Sequence, residues 1–190
     1  DGGVDYKHED LAANMFINEA EQNGAAGVDD DGNGYVDDIN GWDFYHDDAS
    51  VCHYTYSDDG LSYGPAEEDN DNHGTHVAGI IASVLRGGNL FNTGAVPVPV
   101  RIMPLKIHGG EKSSGSVASA IKYADVFNIS WGSSATTASI TTLEQTIRES
   151  DMLFVCAAGN TGSDNDQTPV YPASFRMDNV ISVSFVNAFG

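Results

Sequence analysis

The sequence predicts an α/β fold: a three-layer, mostly parallel sheet with helices on both faces. Three observations point there. From residue 73 onward, apolar runs of strand length alternate with helix-like runs, the pattern of a parallel sheet covered on both sides. Hydrophobic residues make up 41% of the 190, enough for a real core, while 6 prolines and 21 glycines are too few for wholesale disorder. No apolar run approaches the roughly 20 residues that cross a bilayer.

The elements follow in order. Residues 1–71 are rich in Asp, Asn and Gly and lack periodicity, which reads as long loops with short strands. Residues 76–85 (HVAGIIASVL) form an apolar helix, with Ala78, Gly79 and Ala82 small enough for close packing. Residues 100–107 (VRIMPLKI) read as a buried strand, 116–124 as a short helix and 126–130 as a strand. A helix over 141–150, a strand over 152–158 and a strand over 180–185 complete the pattern. No internal repeat and no linker divides the chain. It reads as one domain, with an acidic loop-rich part over 1–71 and an α/β core over 72–190.

Charge is distributed unevenly. Eight basic residues against 28 acidic ones give a formal charge of −20. Residues 1–71 carry 20 of those acidic side chains and one basic one, Lys7. Such a surface repels phosphate backbones and anionic lipid, so neither nucleic acid nor membrane is an expected partner. The acidic half calls for a local explanation: bound cations, or a solvated acidic surface. Of the two cysteines, Cys156 sits in an apolar run and is expected to be a buried thiol.

The sharpest motif is Asn72-His73-Gly74-Thr75-His76-Val77-Ala78-Gly79. A His at the start of a small-residue helix is held rigidly, and its near-neutral pKa suits a general base. Taken alone, the H-x-x-H spacing is also compatible with a capping His or a zinc pair. The metalloprotease helix, however, would have Glu where Gly74 stands.

These residues resemble the histidine motif of the subtilisin-like serine proteases, the subtilases. Residues 1–11 (DGGVDYKHEDL) are similar to the family's aspartate motif, 128–132 (NISWG) to the wall of its substrate cleft, and 154–160 (FVCAAGN) to the strand and turn bearing its oxyanion-hole asparagine. The four motifs occur in family order and cover nearly the whole chain. The resemblance implies a subtilisin-like fold and peptide-bond hydrolysis through an Asp-His-Ser triad. Asp1 would orient His73, His73 would act as base and then acid, and Asn160 would donate to the oxyanion. Ser130, Trp131 and Gly132 would form one wall of the pocket before the scissile bond, with Ala157, Ala158 and Gly159 forming the other. Ser114, Gly115 and Ser116 would offer an edge to which an extended polypeptide substrate adds as a strand. On the residues alone, Asn160 also fits a turn Asn, and Trp131 a core aromatic.

The family's serine string, of the form G-T-S-x-A-x-P, does not occur, and Ser133 and Ser134 belong to the pocket-wall motif. The apolar strand that leads into the family's Asp is also missing before Asp1. The expectation is a piece truncated at both ends, inactive alone, with the serine beyond Gly190. Gly2 and Glu9 replace the family's usual Ser or Thr and Pro. Between residues 122 and 126 the helix-to-strand connection is shorter than usual.

The second strong motif spans residues 29–38 (DDDGNGYVDD). Asp29, Asp31 and Asn33 supply oxygens at positions 1, 3 and 5, Gly34 stands at 6, the Tyr35 carbonyl at 7 and Asp37 at 9, the first half of an EF-hand loop. Asn40 at position 12 replaces the bidentate Glu, so the helix–loop–helix hand is not expected, and Asp37 or Asp38 closes the shell instead. Calcium is the expected cofactor, with a solvated acidic turn as the plain alternative. Asp10 matches a carboxylate that binds calcium in relatives. The resemblance further implies a secreted, extracellular and monomeric protein. A noncatalytic, calcium-dependent peptide-binding domain derived from a protease is the rival reading, and a metal hydrolase using His73 and His76 is a third.

Overall fold

The structure, a computed structural model, describes residues 1–52, 54–56, 63–65, 71–85, 101–107, 120–121, 126–134 and 138–186. The chain divides into two compact units, Asp1–Gly115 and Ser116–Gly190, and both have α/β architecture with parallel strand pairing.

In the first unit a 3₁₀ turn (Ala12–Asn14) and α1 (Glu19–Asn23) lead to β1 (Trp42–Asp43). An antiparallel pair, β2 (Tyr54–Tyr56) and β3 (Tyr63–Pro65), precedes the long α2 (Asp71–Leu85) and then β4 (Leu105–Lys106). β1 and β4 pair in parallel, Asp43 opposite Lys106. The pairing buries both charges completely, with Lys106 Nζ 3.2 Å from Asp43 Oδ2. Burial works against the charge on Asp43. The His46 ring and the backbone N–H groups of His46 and Tyr45 outweigh it, with Lys106 beside them, and hold its pKa below the ordinary value.

α2 begins at Asp71, five residues before the expected start. Glycine inside a helix costs about 1 kcal/mol relative to alanine, which argues for a start after Gly74. Packing overrides that cost. Gly74, Ala78 and Ala82, spaced four apart, make one buried face. Ala78 and Ala82 pack with Val4, Leu11 and Met15 in a core that Tyr6 and Ile102 flank. The strand expected over 100–107 shrinks to two residues. Pro104 has no N–H to give a ladder, so pairing starts after it, and Ile102 makes only a single parallel bridge, to Met15.

The second unit holds three parallel strands in the order β5 (Val126–Ile129), β6 (Leu153–Ala157), β7 (Val180–Val183), with α3 (Ala138–Arg148) between the first two. Phe127 and Phe154 stack at 5.4 Å, and α3 buries Ile140, Leu143 and Ile147, an i, i+3, i+7 stripe. Cys156 is buried as expected, and burial pushes its thiol up to about 11. The helix expected over 116–124 lies outside the described residues, except Ala120 and Ile121, both buried.

One side chain ties this unit together. Asn179 Nδ2 lies 2.9, 3.0 and 3.2 Å from the carbonyl oxygens of Ile147, Ser150 and Met152, joining the end of α3 to the start of β6. Asn179→Ala should lower the unfolding free energy by about 1–3 kcal/mol, read as an earlier midpoint in urea unfolding. An unchanged midpoint would mean that those carbonyls find other donors.

Candidate active site

His73 projects from the first turn of α2, and its Nδ1 lies 2.9 Å from Asp1 Oδ2 and 3.1 Å from Oδ1. A carboxylate only accepts, so Nδ1 carries the proton and Nε2 is left as the basic atom. The His73 side chain is 56% exposed against 25% for Asp1, so the carboxylate is shielded while the working edge of the imidazole stays open.

Three contacts place the carboxylate. The Gly2 N–H donates to Asp1 Oδ1 at 2.8 Å. The Ile107 N–H donates to the Asp1 carbonyl at 2.9 Å, and the Asp1 backbone nitrogen lies 3.4 Å from the Leu105 carbonyl oxygen, so residue 1 lies along β4. Opposite, a Cβ built on Gly74 would collide with the Gly3 carbonyl and touch the Asp1 side chain. Thr75 Oγ1 accepts the Asp5 N–H at 2.9 Å, closing the seam between α2 and residues 1–5.

His76, three residues on, is exposed and faces elsewhere. It lines a cavity of about 600 Å³ with His8, Asp10, Leu11, Thr75, Gly79, Ile80 and Ser83. Neither His73 nor His76 belongs to a metal-ligating cluster among the described residues.

The remaining expected residues lie in the second unit. Register carries Asn128 opposite Val155 and Ile129 opposite Cys156, so residues 130–132 follow the end of β5 while Ala157 ends β6 beside it and residues 158–159 follow. Ser133 and Tyr171 exchange backbone hydrogen bonds of 2.9 and 2.8 Å, pinning the first segment. Gly159 has φ 96°, a left-handed turn that a side chain would strain, and Asn160 follows it, exposed. Val170 was missed in the sequence. A Cβ on Gly132 would collide with Val170 Cγ1, and one on Gly159 would meet its Cγ2 at 3.5 Å, so this side chain packs against both segments. Its signal was the apolar residue ahead of Tyr171-Pro172. Ser114, Gly115 and Ser116 lie outside the described residues.

The acidic loop is folded around a residue the motif did not include. Glu21, 3% exposed, accepts the N–H groups of Asp30 (2.7 Å), Asp31 (3.2 Å) and Asp37 (2.8 Å). Asp29 accepts those of Gly32, Asn33 and Gly34, and the Gly34 bond leads in holding its pKa below the ordinary value. The amides of Asn18 and Asn33 each bridge Asp31 and Asp38. Burial nevertheless raises Asp38 above the ordinary carboxylate range. Tyr35 anchors the loop through its ring, 5.0 Å from Trp42 and 5.6 Å from Phe44. Asp37, at φ 58°, accepts the Gly27 N–H, and Asn40 donates to the Phe16 carbonyl at 3.4 Å, outside the loop. Carboxylate oxygens of Glu21, Asp29 and Asp31 converge within 4.8 Å, an all-oxygen donor set able to hold a divalent cation.

A family model described as the subtilase family matches residues 1–188. Subtilisin-like protease 1 of Plasmodium falciparum (isolate 3D7) is 28% identical over 204 residues, covering 97% of this chain and 27% of that protein. Subtilisin-like protease 1 of Plasmodium vivax is 39% identical over 88 residues, 46% of this chain and 11% of the relative. The major intracellular serine protease of Bacillus subtilis (strain 168) is 31% identical over 142 residues, 70% of this chain and 43% of its own length. The chain thus spans less than half the length of each of these curated relatives. No helix among the described residues is long and apolar enough to cross a membrane.

The Gly74 contact makes a direct test. Gly74→Ala should force α2 away from residues 1–3, weaken folding by about 1–3 kcal/mol and abolish the low-field Nδ1 proton resonance of His73. Persistence of that resonance in the variant would show that the two segments have room to spare.

Proposed function

The chain belongs to the subtilase family, and on that footing we propose that it forms part of a serine endopeptidase in which Asp1 and His73 are two members of the catalytic triad. The single observation that carries this reading is the 2.9 Å contact between Asp1 and His73 Nδ1, made by a shielded carboxylate and an exposed imidazole. The third member, the attacking serine, belongs in this reading to sequence that follows Gly190 in the natural protein. His73 Nε2 takes the serine proton as its oxygen attacks the scissile carbonyl, and the imidazolium that forms is stabilised by Asp1. The same proton then passes to the leaving amine, and water repeats the sequence on the acyl-enzyme. Asn160 donates its carboxamide to the oxyanion. Residues 130–132 and 157–159 hold the side chain preceding the scissile bond, over Val170. Ser114, Gly115 and Ser116 pair with the extended substrate.

Calcium is the cation we assign to the acidic loop. Its donors are hard oxygens, and a divalent charge relieves repulsion among Asp29, Asp31, Asp38 and the buried Glu21. Asn33, the Tyr35 carbonyl and Asp37 are the further oxygens of the same loop, and Asp10 is assigned to a second calcium site. A calcium-stabilised, monomeric enzyme working outside the cell fits this loop, although one relative is by its name intracellular.

Two experiments test the reading. In the natural full-length polypeptide, a serine-directed phosphonate should label one serine, and His73→Ala should abolish labelling and cut kcat by roughly 10⁴–10⁶-fold. Labelling that survives His73→Ala, or none in the wild type, refutes the triad and favours a noncatalytic peptide-binding domain. Calcium at 100 times its Kd should add about 2.7 kcal/mol of stability, read as a rise in Tm. Asp31→Ala should shift that rise to higher calcium concentrations, and an identical titration would remove Asp31 from the ligand set.

A further inference from the structure

The turn that carries Asn160 is held from both sides at Ala158. On one side the Ala158 N–H donates to the Val183 carbonyl at 2.9 Å, tying the end of β6 to β7. On the other, the Ala158 carbonyl accepts Asn165 Nδ2 at 3.0 Å, a half-buried bond that reaches across seven residues. We propose that Asn165 is a positioning residue for the oxyanion site, fixing the 158–159 peptide plane from which Asn160 is presented. This rests on the reading of Asn160 as the oxyanion donor.

The physical argument is one of remaining freedom. Asn160 is exposed, and the residue before it is a glycine at φ 96°, the most permissive joint a chain has. An exposed carboxamide on such a joint wanders unless the peptide before the glycine is anchored. Because a trans peptide holds its C=O and N–H in one plane, a bond to the Ala158 carbonyl also sets the direction of the Gly159 N–H. Asn165 sits in a hydrogen-bonded turn. The Asp164 carbonyl accepts the N–H groups of Gln167 (3.0 Å) and Thr168 (2.8 Å), and its carboxylate accepts the Asp166 N–H at 2.9 Å and the Gln167 amide at 3.0 Å. Arg176 adds a 3.2 Å contact to Asp166. Residues 164–168 therefore form a hydrogen-bonded turn, and Asn165 is the arm that reaches back from it. A donor displaced by about 1 Å loses up to 10²-fold in rate, so an anchor of this kind acts on turnover more than on substrate affinity.

The test is a double-mutant cycle in the natural full-length polypeptide. Asn165→Ala, and the isosteric Asn165→Asp, which cannot donate, should each lower kcat by about 10–100-fold and leave KM within about twofold. Asn160→Ala alone should cost roughly 10²–10³-fold, the range for losing one oxyanion donor. In the Asn160→Ala background, Asn165→Ala should change kcat less than about twofold, because a positioning residue has nothing left to position. Equal loss in both backgrounds, or no loss from either Asn165 variant, overturns the inference and leaves the oxyanion reading standing. An unchanged kcat in Asn160→Ala overturns that reading, and the inference with it. The cycle compares kcat between folded variants, so a general loss of stability registers as additive and counts against the proposal.

Discussion

Asp1 and His73 meet because a helix is allowed to come within backbone distance of another segment. The Gly74 position is filled on its open side by the Gly3 carbonyl, and any side chain there would hold α2 off residues 1–3. The close approach is reinforced at each end of the seam. Thr75 receives the Asp5 N–H, and Ala78 and Ala82 continue the same narrow face into the core around Val4, Leu11 and Met15. From the opposite direction β4 holds residue 1 through Leu105 and Ile107. Backbone contacts hold residue 1 in place, which leaves the carboxylate oxygens for Gly2 and His73.

Much of this architecture was legible in the sequence, for identifiable reasons. β5, β6 and α3 came within a few residues of expectation because their apolar periodicity agrees with local propensity and nothing competes with it. α2 was misjudged at its start because propensity penalises Gly74 while tertiary packing demands it. β4 was overdrawn because the apolar run continues through Pro104, which cannot take part in a ladder. The Asp1–His73 pair was visible only through the family motifs: no periodicity links positions 72 residues apart. Val170 and Asn165 were invisible for the converse reason. Their roles come from where loops return to the sheet, and neither lies in a repeating or compositional pattern.

The acidic loop shows how far a motif can be read and where it stops. Spacing identified Asp29, Asp31 and Asn33, yet the residue on which the loop is folded is Glu21, on the preceding short helix. Its two oxygens take three loop N–H groups, work that water does in an open turn. The carboxylates of Asp29 and Asp31 are likewise turned inward onto backbone and amide donors. The loop consequently has a preformed shape, and the cost of gathering its negative charges is shared with hydrogen bonds before any ion is considered.

The buried pair of Asp43 and Lys106 has a consequence for descent. His46 and two backbone N–H groups support Asp43 as well, but removing one member of a buried ion pair costs about 3–5 kcal/mol, whereas exchanging both for apolar residues costs little. Homologous lineages can therefore drift at either position only by passing through a poorly folded ancestor or by altering both codons nearly together. Asp43 and Lys106 should be inherited as a unit, retained jointly or replaced jointly.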